Sequence, residues 1–272
     1  MHPILLNIGD FALHWYGVLI ALGAILGVFL TNRWGDQVGL PKNLFGDLGF
    51  WAILLGIAGA RAWYVIQHPE GINTFMDAIN VRSGGLVSYG GLLGVMLAFG
   101  IVIVRKKQPV LKVLDIVAPV LPLGHAFGRL GCFMAGCCHG HESDAPWAVI
   151  FPGMEASSVQ ANLIGVPIHP TQLYAAAYLA VLAGVLIWYR ARKRFDGELI
   201  LIYLTAYPLL RSINEIFRGD SVRGYLIEGV ITTGQAMSAI VAAVALVGWF
   251  WMGKVNKDMK AKRAKKAAAE NT

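Results

Sequence analysis

The sequence predicts an all-α integral membrane protein of about seven transmembrane helices, with its N-terminus external and its C-terminus cytoplasmic. Three observations lead there. The 272 residues are 56% hydrophobic and only 14% charged, with a mean hydropathy of +0.58, whereas soluble domains carry about 25% charge. Apolar runs of the length needed to cross about 30 Å of hydrocarbon recur along the chain. Basic residues, finally, cluster between alternate runs.

The runs cover 11–30, 44–66, 86–104, 113–135, 171–189, 198–217 and 225–252. In the fourth, Pro119 and Pro122 interrupt the helix, which a membrane tolerates where the freed backbone is buried in protein or lines a cavity. The first Lys or Arg is Arg33, so the charged segment of a cleavable signal peptide is missing. The opening "MHPILLNIGDFALHWYG" therefore reads as mature protein outside the membrane. No repeat, low-complexity block or long linker stands out. Residues 1–253 form one transmembrane domain, and residues 254–272 form a basic cytoplasmic tail.

All but six of the 23 lysines and arginines fall in four places. These are Arg33 and Lys42; Arg105, Lys106, Lys107 and Lys112; Arg190, Arg192, Lys193 and Arg194; and the tail from Lys254 to Lys266. Seven spans with an external N-terminus put all four on the cytoplasmic side, in agreement with the positive-inside rule. The tail reads as a topology anchor near anionic lipid. Without a folded recognition module it does not read as a nucleic-acid binder.

The remaining six, Arg61, Arg82, Arg129, Arg211, Arg218 and Arg223, are all arginines. They sit in spans or on the external side, where something must hold a positive charge. Charge inside a membrane domain points to function, and arginine's planar fork suits phosphate better than lysine does. The competing explanation is pairing with Asp or Glu inside the bundle, which for Arg61 and Arg82 is as good.

"GHAFGRLGCFMAGCCHG" at 124–140 gathers Arg129 with Cys132, Cys137, Cys138 and His139. As a zinc site its spacing is poor, for it lacks a C-x-x-C pair and a second ligand group. Free cysteines pack as small hydrophobes, and a disulfide from Cys132 to Cys137 or Cys138 is also open on the external side. No metal is expected. As an anion site, Arg129 lies between Gly128 and Gly131, at the external end of the proline-broken helix. In "AYPLLRSINEIFRGD" the residues Tyr207, Arg211, Glu215 and Arg218 share one helix face. Arg211–Glu215 and Arg218–Asp220 read equally as ion pairs. Two arginines aimed at one external cavity would form a phosphate clamp. "LHWYG", "GGLVSYGG" and "HPTQLY" supply aromatic and small residues that otherwise mark an interfacial belt and close helix packing. Together they suggest a lipid-facing active site, since the repeats and midplane charges of a transporter are not visible.

These motifs, in this order over seven spans, resemble the bacterial prolipoprotein diacylglyceryl transferases from about residue 11 to 250. The resemblance implies transfer of the diacylglyceryl group of phosphatidylglycerol to the lipobox cysteine of a prolipoprotein, giving a thioether and glycerol phosphate. It implies a multi-pass enzyme of the bacterial cytoplasmic (inner) membrane that needs no cofactor. Its partners are phosphatidylglycerol, the prolipoprotein signal peptide and membrane lipid, with no nucleic acid. Arg129 matches the essential arginine of the family's G-R-[LIV]-G signature, and Arg211 the second one, with Glu215 and Arg218 as helix companions. Tyr16, Tyr207 and Gly140 fall on positions used around the lipid, with Gly128 and Cys132 beside Arg129. His169, Gln172 and Tyr174 match H-P-[ST]-Q-L-Y. The chain departs from the best-known members at Tyr89, where they have His, at Cys132, where they have Asn, and at Cys137, where they have Glu.

Arg129 and Arg211 are thus expected to stabilise phosphate charge, and Tyr89 to orient the lipid by a hydrogen bond. If a base takes the thiol proton, His14, Glu215 and His139 are the candidates. Two nearby arginines would lower the thiol pKa and make one dispensable. The other classes open to the sequence are a non-catalytic phospholipid-binding paralogue and a lipid transporter.

Overall fold

The computed structural model describes residues 3–9, 11–72, 74–81, 84–153, 157–219, 225–227 and 231–270. Arg82, Asp220 and Arg223 lie outside the described residues. The chain divides into two compact units, Met1–Gly27 with Leu114–Thr272, and Val28–Val113.

Among the described residues, six helices are long and apolar enough to cross a membrane. They are α1 (Trp15–Gln37), α2 (Leu44–Gln67), the pair α5 (Val110–Val117) and α6 (Val120–Ala135), α7 (Thr171–Tyr189), α8 (Glu198–Ile216) and α9 (Thr233–Glu270). Two further helices, α3 (Phe75–Ile79) and α4 (Ser88–Arg105), complete the set; α4 is apolar but shorter. Large apolar side chains such as Ile25, Phe29, Val181, Trp188, Val244 and Phe250 are exposed, as they must be when the surrounding solvent is hydrocarbon.

The ends of the spans differ from the hydropathy reading for local reasons. Residues 11–14 are not helical: Phe11–His14 is strand β2, paired antiparallel with β1 (Ile4–Ile8). Helix α1 then continues to Gln37, through polar residues that the apolar run excluded. Likewise, Tyr225–Ile227 and Ile231–Thr232 pair as a hairpin, with β3 (Val149–Ile150) and β4 (Pro167–Ile168) earlier in the chain making these strands β5 and β6. Helix α9 starts at a capping box. Thr232 Oγ1 accepts the Gln235 N–H and Gln235 Oε1 accepts the Thr232 N–H, both at 3.1 Å. It then runs without a break past residue 253. The break expected in the fourth span is present at Ala118–Pro119, between α5 and α6. Pro122 falls in the first turn of α6, where its missing N–H leaves no helical bond unmade.

The unit formed by Val28–Val113 is held by a glycine seam. A Cβ on Gly59 would collide with the Gly90 carbonyl, and one on Gly94 with the Leu55 carbonyl, so α2 and α4 touch backbone to backbone. Beside the seam, Arg61 is buried and acts as a clasp. It donates to the carbonyls of Asp77 (2.5 Å), Ala78 (2.9 Å), Gly84 (2.7 Å) and Gly85 (3.1 Å), and its guanidinium lies 5.0 Å from the Tyr64 ring centroid. Its partners are therefore backbone carbonyls, not the carboxylate or the phosphate that the sequence suggested.

In the other unit, α6, α7 and α8 pack around Leu179, Leu182, Leu186, Leu199, Ile200 and Tyr203, and α9 packs against α8. Two buried carboxylates organise the start of α8. Asp115, with 1% of its side chain exposed, accepts Lys193 Nζ at 2.8 Å. It also accepts the N–H groups of Gly197 (2.9 Å), Leu199 (2.9 Å) and Ile200 (3.2 Å). These are the donors that a helix N-terminus leaves unpaired, and the helix dipole favours the anion there. Glu198 accepts Arg194 at 2.6 Å and 2.7 Å, the Tyr189 hydroxyl at 3.1 Å and Trp249 Nε1 of α9 at 3.1 Å. Lys193 and Arg194, expected only as orienting charges, thus neutralise buried acids.

Asp115→Ala strands three backbone N–H groups and leaves Lys193 with the exposed Asp196 alone. The expected cost is about 3–5 kcal/mol, read as a fall in the thermal midpoint of the detergent-purified protein. Asp115→Asn, which retains an acceptor, loses less.

Candidate functional site

The site is assembled where α6 ends. Gly136 has φ 76° and closes the helix as a Schellman turn. The Cys137 N–H reaches the Cys132 carbonyl at 3.1 Å, and the Gly136 N–H the Phe133 carbonyl at 3.3 Å. That 6→1 bond folds Cys137 back beside Cys132. Cys138 then takes φ 61°, a left-handed conformation unusual for a side chain with a Cβ. The outcome is that the three Sγ atoms lie within 4.8 Å of one another. All three cysteines are free and half-buried. Counting C-x-x-C pairs missed this cluster; the detectable signal was C-x-x-x-x-C with glycine before the second cysteine.

The "HPTQLY" motif fixes this loop in place. Thr171 Oγ1 donates to the Cys138 carbonyl and Gln172 Nε2 to the Cys137 carbonyl, each at 2.8 Å, and both side chains are buried. Tyr174 joins the neighbouring segment, its hydroxyl accepting Trp147 Nε1 at 2.7 Å and lying 3.0 Å from His169 Nδ1. Burial, and next the nearby His141, keep the His169 imidazole below its usual pKa. After the cysteines, residues 140–143 thread between two other segments. Gly140 N–H donates to the His169 carbonyl (2.9 Å), His141 N–H to the Phe217 carbonyl (3.2 Å), and His169 N–H to the His141 carbonyl (3.0 Å). Gly140 also bridges to Arg218. A Cβ there would lie 2.5 Å from His169 Cβ and 2.6 Å from the Phe217 oxygen. Close approach of three backbones is therefore what Gly140 provides in the fold.

This weave delivers side chains from four helices to one neighbourhood. Tyr178 of α7 is within electrostatic reach of Arg129 on α6, and of Tyr207, Arg211 and Arg218 from the α8 end of the chain. Tyr16, at the start of α1, reaches Arg129 and all three cysteines electrostatically, and its ring packs where a Cβ on Gly131 would stand. Among the described residues, Arg129 makes no hydrogen bond or ion pair. Arg211 Nη1 is 3.1 Å from Glu215 Oε2, the buried ion pair that the sequence allowed. The approach is off hydrogen-bonding angles, and Nη1 is buried with no hydrogen-bond partner. Arg218 and Arg129 lie in electrostatic reach of the Cys138 thiol, and the Cys137 thiol donates to the Cys132 carbonyl at 3.8 Å.

Other expected residues sit differently. Tyr89 belongs to the Val28–Val113 unit, in the first turn of α4, with 76% exposure. His14 is exposed at the end of β2, its Nδ1 3.0 Å from the Ala12 carbonyl. His139 is buried, with Nδ1 at 3.0 Å from the Gly140 carbonyl. Gly128 has open space where a Cβ would stand. The sequence reading missed the aromatic column beside Tyr207, which stacks on Tyr203 at 5.4 Å and meets His125 at 5.3 Å. Tyr203 at i−4 from Tyr207, and Tyr178 at i+4 from Tyr174, were the available signals.

The fold and the site together define a multi-pass membrane protein that gathers arginines, tyrosines and thiols around one woven polar loop. The chain belongs to the prolipoprotein diacylglyceryl transferase family, whose model matches residues 3–251. It is 32% identical to phosphatidylglycerol–prolipoprotein diacylglyceryl transferase of Legionella pneumophila (strain Paris) over 261 residues, covering 93% of this chain and 97% of that protein. The protein of the same name in Clostridium tetani is 29% identical over 246 residues, 90% of this chain and 96% of that one. That of Bacillus cytotoxicus is 34% identical over 254 residues, 90% and 89%.

Gln172 holds a loop carbonyl from a buried position. Gln172→Ala is expected to cost about 1–3 kcal/mol by leaving that carbonyl unpaired, and to raise the alkylation rate of Cys137, measured by mass spectrometry after timed maleimide labelling.

Proposed function

We propose that this enzyme moves the diacylglyceryl group of phosphatidylglycerol onto the lipobox cysteine of a prolipoprotein, at the bacterial cytoplasmic membrane. Its N-terminus is external and its basic C-terminal tail cytoplasmic. The observation that carries the site assignment is two guanidiniums, on α6 and α8: Arg211 Nη1 is buried without a hydrogen-bond partner, and Arg129, half-buried, makes no hydrogen bond among the described residues. A buried donor without a partner costs about 1–3 kcal/mol and calls for an explanation. An anionic headgroup supplies one.

The chemistry follows from that placement. The substrate thiolate attacks the glyceryl carbon, the carbon–oxygen bond to phosphate breaks, and glycerol phosphate leaves with the bonding electrons. Charge on the leaving phosphate grows as that bond breaks, so fixed donors favour the transition state over the bound lipid. Arg129 and Arg211 fill this role. Glu215 holds Arg211 in orientation, and Arg218 adds positive charge from the same end of α8. Tyr16 and Tyr207, with Gly128, Cys132 and Gly140, form the surrounding lipid subsite. His14 is the most accessible of the histidine bases, since His139 is buried.

Removing one such donor typically costs about 10²–10³ in rate. Arg129→Ala and Arg211→Ala are therefore expected to lose transfer by at least that factor while the protein still accumulates in membranes. The measurement is thioether formation on a lipobox peptide in phosphatidylglycerol vesicles, with immunoblotting for protein level. Near-normal turnover in either variant would remove the clamp. Binding of the lipid without any product, in the unaltered enzyme, would point to the non-catalytic paralogue.

A further inference from the structure

The three thiols are not consumed by the phosphate clamp. Their Sγ atoms lie within 4.8 Å of one another, although the cysteines are separated by a helix end and only two are adjacent. Zinc–sulfur bonds of about 2.3 Å in tetrahedral geometry put sulfurs about 3.8 Å apart. The sulfurs therefore need to close by about 1 Å at most to match a tetrahedral ligand set. Cys138 adopts its left-handed backbone at some cost in energy, and Thr171 and Gln172 brace the carbonyls of Cys138 and Cys137 from buried positions. Each of these features holds the sulfurs together. Three thiols also bring the right softness for a thiophilic cation.

We propose that Cys132, Cys137 and Cys138 form a three-thiolate site for a divalent cation of the zinc type, whose fourth position is open to the thiol of the acceptor cysteine. The inference rests on the transferase reading. Its first half follows from the sulfur geometry. The second half follows from what is absent among the described residues: the ligand group contains the three cysteines and nothing else. His139, next in the chain, turns Nδ1 to the Gly140 carbonyl and is not in that group. Three protein ligands with one vacant position is the pattern of reactive rather than structural zinc.

The position suits the reaction. A free thiol with pKa about 8.5 is only a few per cent ionised at neutral pH, whereas a metal-bound thiol is deprotonated outright. Three thiolates and a divalent cation carry one net negative charge. Arg129 and Arg218 lie in electrostatic reach of Cys138 and offset it. In balance, the acceptor thiol gives its proton to water on binding the cation. Its sulfur pair then forms the carbon–sulfur bond, and the phosphate ester leaves with the carbon–oxygen pair. The neutral thioether, a far weaker ligand than a thiolate, releases from the cation. Arg129 also reaches Cys132, so a thiolate held here is beside the lipid phosphate.

The test uses the full chain, purified in detergent without added metal and reconstituted with cobalt(II) or zinc(II). One equivalent of cobalt should bind with thiolate-to-metal charge-transfer absorption, and Cys137→Ser and Cys132→Ser should each lose that absorption. A lipobox peptide should shift the cobalt visible bands, and the same peptide with serine for its cysteine should not. Chelation should lower transfer at least tenfold, and zinc restore it. Thermal midpoints of the serine variants identify any that fail to fold; Cys138→Ser then serves as a third. Binding unchanged by the serine substitutions, or two thiols lost to a disulfide in protein that takes up no metal, overturns the site. A cobalt spectrum indifferent to the peptide thiol overturns the open position. Full transfer by metal-free protein defeats this inference and leaves the transferase reading intact, whereas absence of transfer with metal bound defeats the latter.

Discussion

Everything on the α6–α9 side of the molecule is referred to one carboxylate. Asp115 is almost wholly buried and takes three backbone N–H groups and a lysine at the first turn of α8. In hydrocarbon such donors have no water to turn to, so the acid fixes both the start and the rotation of the helix. The rotation matters at the other end of α8. Thirteen and seventeen residues past Glu198, at about 1.5 Å each, the helix carries Arg211 and Glu215 about 20 Å and about 26 Å from its start. A helix turned by one residue there would present Arg211 about 100° away from Tyr178 and the α6 terminus.

At that second end the polarity is reversed, and so is the solution. Arg211 keeps Nη1 buried without a hydrogen-bond partner, while much of the backbone nearby pairs with itself. Residues 140–143, 167–169 and 217–219 exchange carbonyl and N–H bonds across one another. Backbone that pairs with itself leaves side chains as the free polar groups. The weave also accounts for the two glycines, Gly140 and Gly219, at which a Cβ would meet neighbouring backbone closer than atoms approach.

The sequence made the membrane spans legible because crossing hydrocarbon demands length and apolarity, and both are visible in one dimension. It made Arg129 and Arg211 legible because a charge in such a run is conspicuous. It hid what depends on backbone direction. The cysteine cluster exists only because Gly136 reverses the chain, and ligand-spacing rules assume other turns. Arg61 was open to an acidic partner, but carbonyls from Asp77 to Gly85 serve it, and backbone acceptors leave no compositional trace. Gln172 was legible only as part of a motif; its donor and that of Thr171 are committed to the cysteine loop. The spans at residues 11 and 225 began late because strand pairs of mixed polarity precede them, and hydropathy averages do not separate an apolar strand from an apolar helix.

The glycine seam between α2 and α4 carries a different consequence. In a water-soluble core a lost contact is often regained by a neighbouring side chain that moves or grows. Here backbone faces backbone at Gly59, Gly90 and Gly94, and no rotamer is available to take up slack. The tolerance of these positions is thus a threshold, not a gradient: a methyl group and an indole are equally excluded. Drift in sequence along this seam should be close to all-or-none, while the lipid-facing residues one turn away exchange freely among apolar types.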